Sequence, residues 1–242
     1  MPGQTGNQRI GDPVTGMMSL EQAVKRLKAA ARPDQLEGMA RFGLVKENRL
    51  GVSIPVLRSL AREIGNDHKL ALDLWETGIQ DARILAALVD KPEEATEEQM
   101  DNWVQGINSW DVCDQVCMNL FDKTRFAREK IAEWSEREEE FVKRAAYSLI
   151  ACLAWHDKQA PDSLFLEFLP IITNGATDER NFVKKGVSWA LRHIGKRNLN
   201  LNRAALKTAK EIQRLDSRAA RWIASNVIRE LEGEAVQRKL RK

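Results

Sequence analysis

In the segment Asn108-Ser109-Trp110-Asp111-Val112-Cys113-Asp114, an indole and a carboxylate stand four residues apart. On a helix, Trp110 and Asp114 therefore share one face. An indole face attracts cations, and a fixed carboxylate stabilises positive charge that develops during a reaction. Together they suit a cationic ligand or transition state. The competing explanation is a salt bridge from Asp114 to an arginine on a neighbouring repeat. Asp111, in the first turn, is accounted for as a charge complementing the helix N-terminus. Asp114, a turn later, gains much less from that position. Seven tryptophans against one tyrosine, Tyr147, is an unusual ratio. Trp75, Trp103, Trp134 and Trp155 sit among apolar neighbours and read as core. Trp110, Trp189 and Trp222 lie on helices that also offer polar or basic residues.

Other chemistries find no footing in the sequence. The three histidines, His68, His156 and His193, include no pair at metal-ligand spacing, so no metal is expected. Cys113 and Cys117 lie four apart without a second pair and, with Cys152, read as reduced packing residues of a cytoplasmic protein. No Gly-x-x-x-x-Gly-Lys run offers a phosphate loop, and no cofactor is expected. No run of eighteen apolar residues could span a membrane. The polar, Gly/Pro-punctuated start has no apolar segment of a secretory signal.

These side chains need helices to hold them. With 43% apolar and 30% charged residues, the 242-residue chain has the composition of an ordinary globular protein, long enough for one large or two small domains. Residues 1–17 read as a disordered leader, with Met17 or Met18 as an alternative start, and 18–242 as one domain. Apolar spacing predicts helices over about 19–31, 34–42, 54–64, 67–77, 80–90, 96–107, 110–121, 124–134, 138–155, 162–174, 179–194, 202–214 and 217–232. Ser19 with Gln22, Thr96 with Gln99, and Ser109 before Trp110 read as caps. Pro55 and Pro161 suit first-turn positions. No alternating β-branched segment suggests a strand. The class is all-α.

An internal repeat narrows the architecture. Phe141-Val142-Lys143-Arg144-Ala145-Ala146 recurs as Phe182-Val183-Lys184-Lys185-Gly186-Val187, 41 residues later. A weaker echo, Arg218-Ala219-Ala220-Arg221-Trp222, sets Arg218 against Lys185 at a spacing of 33. Such periods fit stacked helical hairpins, whose inner helices would line one concave surface with the repeated basic residues along it. The charge agrees. From Glu179 to Lys242, 17 lysines and arginines face 6 acidic residues, while the rest of the chain is net negative. A polyanion partner follows more readily than a merely solvated face.

Taken in order, several segments resemble the HEAT-like-repeat DNA alkylation repair glycosylases, the AlkD-like proteins, from about Ser19 to Leu231. Met39-Ala40-Arg41-Phe42 and Leu50-Gly51-Val52-Ser53-Ile54-Pro55 look like the family's N-terminal pattern. Ser109-Trp110-Asp111-Val112-Cys113-Asp114 resembles its Trp-Asp-x-x-Asp motif. Lys143-Arg144-Ala145-Ala146 and the run from Phe182 to Arg192 resemble its inner-helix signatures. The resemblance implies a right-handed superhelical solenoid with a concave basic groove. It also implies a monomer that excises N3-methyladenine and N7-methylguanine from double-stranded DNA, in the cytoplasm at the nucleoid. Asp114 would be the catalytic carboxylate, with Trp110 and Trp189 packing on the sugar and backbone of the damaged nucleotide. Arg144 would hold a nearby phosphate, Arg192 would help line the cleft, and Lys143, Lys184, Lys185 and Arg218 would be further DNA contacts. Phe42 stands where relatives often place tyrosine, so the cleft's far wall lacks a hydroxyl.

Two other function classes share this fold. One is a non-catalytic module for bent or branched DNA, expected where the Trp/Asp constellation is lost; here Trp110, Asp114, Arg144 and Trp189 are all present. The other is a protein-binding solenoid, whose groove would be apolar or acidic rather than basic.

Overall fold

The computed structural model describes residues 18–241, and the leader predicted over 1–17 lies outside them. Among the described residues there are fourteen α-helices and no strand. They are α1 (Leu20–Ala29), α2 (Leu36–Arg41), α3 (Ile54–Ile64), α4 (His68–Glu76), α5 (Gln80–Val89), α6 (Glu97–Gln105) and α7 (Trp110–Asn119). Then follow α8 (Ala127–Ser135), α9 (Glu140–His156), α10 (Asp162–Asn174), α11 (Asn181–Gly195), α12 (Leu199–Ile212), α13 (Arg218–Leu231) and α14 (Glu234–Leu240).

Local chemistry sets several of the helix starts. Ser19 and Gln22 form the expected reciprocal box at α1, and Thr96 accepts from the Gln99 amide at α6. The Gln99 side chain, however, turns away to Asp90 and does not close a box. Asn198 caps α12 through the Leu201 amide, so that helix begins before the predicted 202. Pro55 sits in the first turn of α3, whereas Pro161 is the residue just before α10. Ser109 makes no side-chain cap of α7; its hydroxyl is drawn instead to Asp111 and Arg49.

Packing turns the helices into a solenoid. Helices α3, α5, α7, α9, α11 and α13 pack each against the next, in one inner row. Helices α4, α8 and α12 back α5, α9 and α13 respectively. The centre of the row is α9, in which every residue from Arg144 to Ala154 is buried. Small residues let its neighbour approach: a Cβ added to Gly186 of α11 would lie 3.3 Å from Tyr147 Cβ and 3.6 Å from Arg144 Cγ. The repeated basic-small-apolar signature is thus partly a packing signature. For that reason its basic positions do not line up alike. Arg144 is buried, while the equivalent Lys185 and Arg218 are exposed.

The core tryptophans divide in the same way. Trp75 and Trp103 stack in parallel with centroids 4.2 Å apart, and Trp134 is fully enclosed. Trp155, expected in the core, is 47% exposed. Cys113, Cys117 and Cys152 are free and buried, as packing residues should be. No helix among the described residues is long and apolar enough to cross a membrane.

Candidate functional site

Asp114 sits in the second turn of α7, its side chain 15% exposed. Arg144, reaching across from α9, embraces it: Nη2 lies 3.0 Å from Oδ1 and 2.9 Å from Oδ2, and Nε lies 3.2 Å from Oδ1. Ser148, one turn further along α9, donates its hydroxyl to Oδ1 at 3.0 Å. The remaining guanidinium nitrogen, Nη1, donates to the Phe182 carbonyl of α11 at 2.6 Å. Burial pushes the Asp114 carboxyl above the ordinary range, and the Arg144 charge and hydrogen bonds pull only part of the way back.

The salt bridge weighed from spacing alone is therefore present, and it revises one expectation. Arg144, read as a phosphate ligand, is 6% exposed at its side chain and turned inward to a carboxylate and a carbonyl. Ser148 follows Arg144 in the repeat as Trp189 follows Lys185. Its place four residues after Arg144 on one helix face was the available signal for a shared partner.

Trp110 opens α7, and its indole N–H donates to the Phe42 carbonyl at 3.1 Å. The chain then turns at Gly43, whose φ of 81° is a left-handed value. A Cβ there would meet the Phe182 ring at 3.1 Å and Trp110 Nε1 at 4.0 Å. The backbone of this turn thus lies between the two rings, and Phe182 in turn stacks on Phe141 at 5.5 Å. The Phe42 side chain itself projects outward, 76% exposed.

The same loop is anchored by Arg49, which sequence reasoning did not find. Its guanidinium grips Asp111 in two bonds of 2.7 and 2.9 Å, and its Nε donates to the Val45 carbonyl at 2.6 Å. Asp81 holds the next stretch through the amides of Leu50 and Val52. Asp111 is therefore more than a charge at a helix start: it ties the loop that carries Phe42 to the helix that carries Trp110 and Asp114. Asp111→Asn keeps an acceptor but leaves the buried Arg49 without a counter-charge. A stability loss of about 1.5–3 kcal/mol is expected in denaturant unfolding. A loss of only about 0.3–1 kcal/mol would mean that the helix terminus alone explains the residue.

The other predicted residues lie on α9, α11 and α13. Trp189 is partly buried and meets His193 edge-on at 5.7 Å, and no ring contact joins it to Trp110 among the described residues. Lys184 lies over the half-exposed Trp222 ring, 5.5 Å from its centroid. Lys185 and Arg218 are exposed. Lys143 lies 3.9 Å from Asp178. Arg192 is paired with Glu230, which also accepts from Lys196 at 2.8 Å. Among the described residues one group of acids converges, Glu97, Asp101 and Glu133, and Lys130 Nζ already lies 2.6–2.9 Å from all three.

A family model described as DNA alkylation repair enzyme matches residues 23–223. Among solved structures, the chain is similar to one from a new family of proteins related to the HEAT-like repeat DNA glycosylases with affinity for branched DNA structures. The two share 20% identity and a TM-score of 0.71, over 88% of this chain and 95% of that one. That likeness shows the fold, a solenoid of HEAT-like repeats. An engineered protein at 13% identity covers 88% of this chain and 98% of its own, with a TM-score of 0.41. A designed armadillo repeat protein in complex with the peptide (KR)4, at 17% identity, covers 92% and 86%, with a TM-score of 0.34. No curated protein matches the chain.

Proposed function

The chain belongs to the family of DNA alkylation repair enzymes, and from that premise we propose that it hydrolyses the N-glycosidic bond of positively charged alkylated purines in double-stranded DNA, N3-methyladenine and N7-methylguanine foremost. The observation that carries the reading is a single fixed carboxylate, Asp114, on the same helix face as the Trp110 indole. A purine already alkylated on nitrogen leaves with the bonding electron pair and becomes neutral, so no acid need protonate it. The sugar is left oxocarbenium-like, and the carboxylate stabilises that charge and orients the water that attacks C1′. The water's proton passes to the carboxylate or to solvent. Trp110 and Trp189 pack against the sugar and backbone, and Phe42 forms the far wall. Arg144 and Ser148 act through Asp114, as positioning residues.

His193 fits this division of labour. Burial first, and then the neighbouring Lys196 and Arg192, hold its imidazole down to about 4, so it is neutral at pH 7 and unsuited to donate a proton. Neutral lesions, which need a positioned acid, should therefore survive. The test is incubation with duplexes carrying N7-methylguanine, hypoxanthine or 1,N6-ethenoadenine. Release of the first, with little or none of the others and no strand cleavage, is expected. Efficient removal of hypoxanthine would defeat the mechanism.

Lys184, Lys185 and Arg218 supply the phosphate contacts, with Lys143 and Arg192 secondary because carboxylates already stand beside them. Phosphate contacts carry no base specificity. Lys185→Ala should weaken damaged and undamaged duplexes alike and flatten the log–log salt dependence by about 0.9. A loss confined to damaged DNA would count against it.

A second reading has its own support. The Asp114 carboxylate touches Arg144 through both oxygens, which would also suit a structural ion pair in a non-catalytic module for bent or branched DNA. Absence of base release, with tight binding to branched DNA, would select that reading.

A further inference from the structure

Away from Asp114, at the far ends of α9 and α11 from Arg144 and Phe182, the chain forms a half-open cavity of about 570 Å³, bounded on one side by α14. Trp155 on its wall stands eleven residues after Arg144, about 16 Å along the helix axis. Its neighbours Ala151 to Ala154 are all buried, yet its indole is half exposed. His156 stacks on the indole at 4.8 Å and His193 meets it at 6.2 Å, which fixes the plane of the ring. An exposed aromatic held rigid at the edge of a cavity has the form of a stacking platform.

The charges around it are unequal. Lys196 is held by Glu230, and Arg197 is engaged by the carbonyls of Ala154, Asp157 and Ala160. Lys158 and Lys239 also line the cavity, and neither makes an ion pair among the described residues. Among the described residues the one carboxylate on the wall, Asp162, accepts from the amides of Asn198 and Asn200. The depressed imidazole of His193 reports the same positive surroundings, with burial as its larger cause. A flat π-face flanked by free ammonium groups fits a planar base joined to a phosphate, and the volume lies in the range of small-ligand sites.

We propose that this cavity is a second binding site, for a single unpaired nucleotide, with its base on Trp155 and its phosphate between Lys158 and Lys239. A paired base inside a duplex is stacked on both faces and tied to its partner at its edge, so the occupant is either a free nucleotide or the unpaired end of a strand. The site does not depend on the chemistry at Asp114.

Two labelled duplexes, one blunt and one with a short single-stranded dA tail, would be titrated with the full chain by fluorescence anisotropy, with dAMP as competitor. The tailed duplex is expected to bind about tenfold more tightly, the usual scale of one base stacked on an aromatic ring. Trp155→Ala and Lys158→Glu should each abolish that preference while changing blunt-duplex affinity less than twofold. Saturable dAMP binding that depends on Trp155, without a tail preference, would assign the site to free nucleotides. Equal binding of both duplexes with no dAMP binding would overturn the proposal, as would a tail preference that survives both substitutions. Base release from a blunt alkylated duplex, measured in parallel, reports on Asp114 separately. Its absence would refute the glycosylase reading and leave this site standing.

Discussion

Asp114→Asn is expected to slow release of N7-methylguanine by about a hundred- to a thousandfold, the usual cost of losing one preorganised electrostatic partner of a transition state, roughly 2.7–4 kcal/mol. The amide keeps the shape and still accepts from Ser148 and from one guanidinium N–H, so the change removes charge more than structure. Binding to undamaged duplex should be unaffected, because the loss falls on the rate of the bond-breaking step. The wild-type rate should also fall on acidification. The ionised carboxylate is the working form, and its pKa is raised by burial, so activity disappears as the pH drops through a value above the ordinary carboxylate range. Base release by the asparagine variant at the wild-type rate would remove Asp114 from the mechanism.

Replacing Arg144 by alanine is expected to cost about 3–5 kcal/mol of stability, because it leaves a buried carboxylate without its counter-charge. For a chain of this size that corresponds to a melting temperature lower by roughly 6–20 °C. The variant separates two roles. With the guanidinium gone, the attraction that favours ionised Asp114 is lost, and the acid limb of the rate profile moves to higher pH. A phosphate ligand would behave otherwise: folding and the pH profile would hold, and affinity for all DNA would fall with a flatter salt dependence. That outcome would restore the expectation drawn from sequence.

What could be read in the sequence follows the reach of each physical signal. Apolar periodicity is strong where a helix has one buried face, so the inner helices were legible almost to the residue. It fails for α14, which has no buried residue, and that helix was not foreseen. Capping chemistry placed α1 and α6, but it misassigned Ser109. A hydroxyl before a helix is also available to a distant arginine, and Arg49 is sixty residues away. Arg49 lies in a loop with no period, where a pair to Asp111 leaves no local trace. Asp114 stood out because its position in the second turn needed a reason, whereas the burial of Arg144 depended on Gly186 of α11, 42 residues later. Trp155 misled because its flanking residues are apolar and only the end of its helix is open.

The guanidinium of Arg144 spans three successive inner helices, from Asp114 on α7 through its own α9 to the Phe182 carbonyl on α11. In a one-dimensional array, stability is a sum of local terms, and either end can fray without the rest. A charged clamp across three members raises the coupling at one place and makes α7, α9 and α11 a single cooperative block. Unfolding that starts from α14 or from α1 would then stall on reaching it, and its amides would exchange with solvent last. The carboxylate keeps its place while the ends of the spring open and close around it.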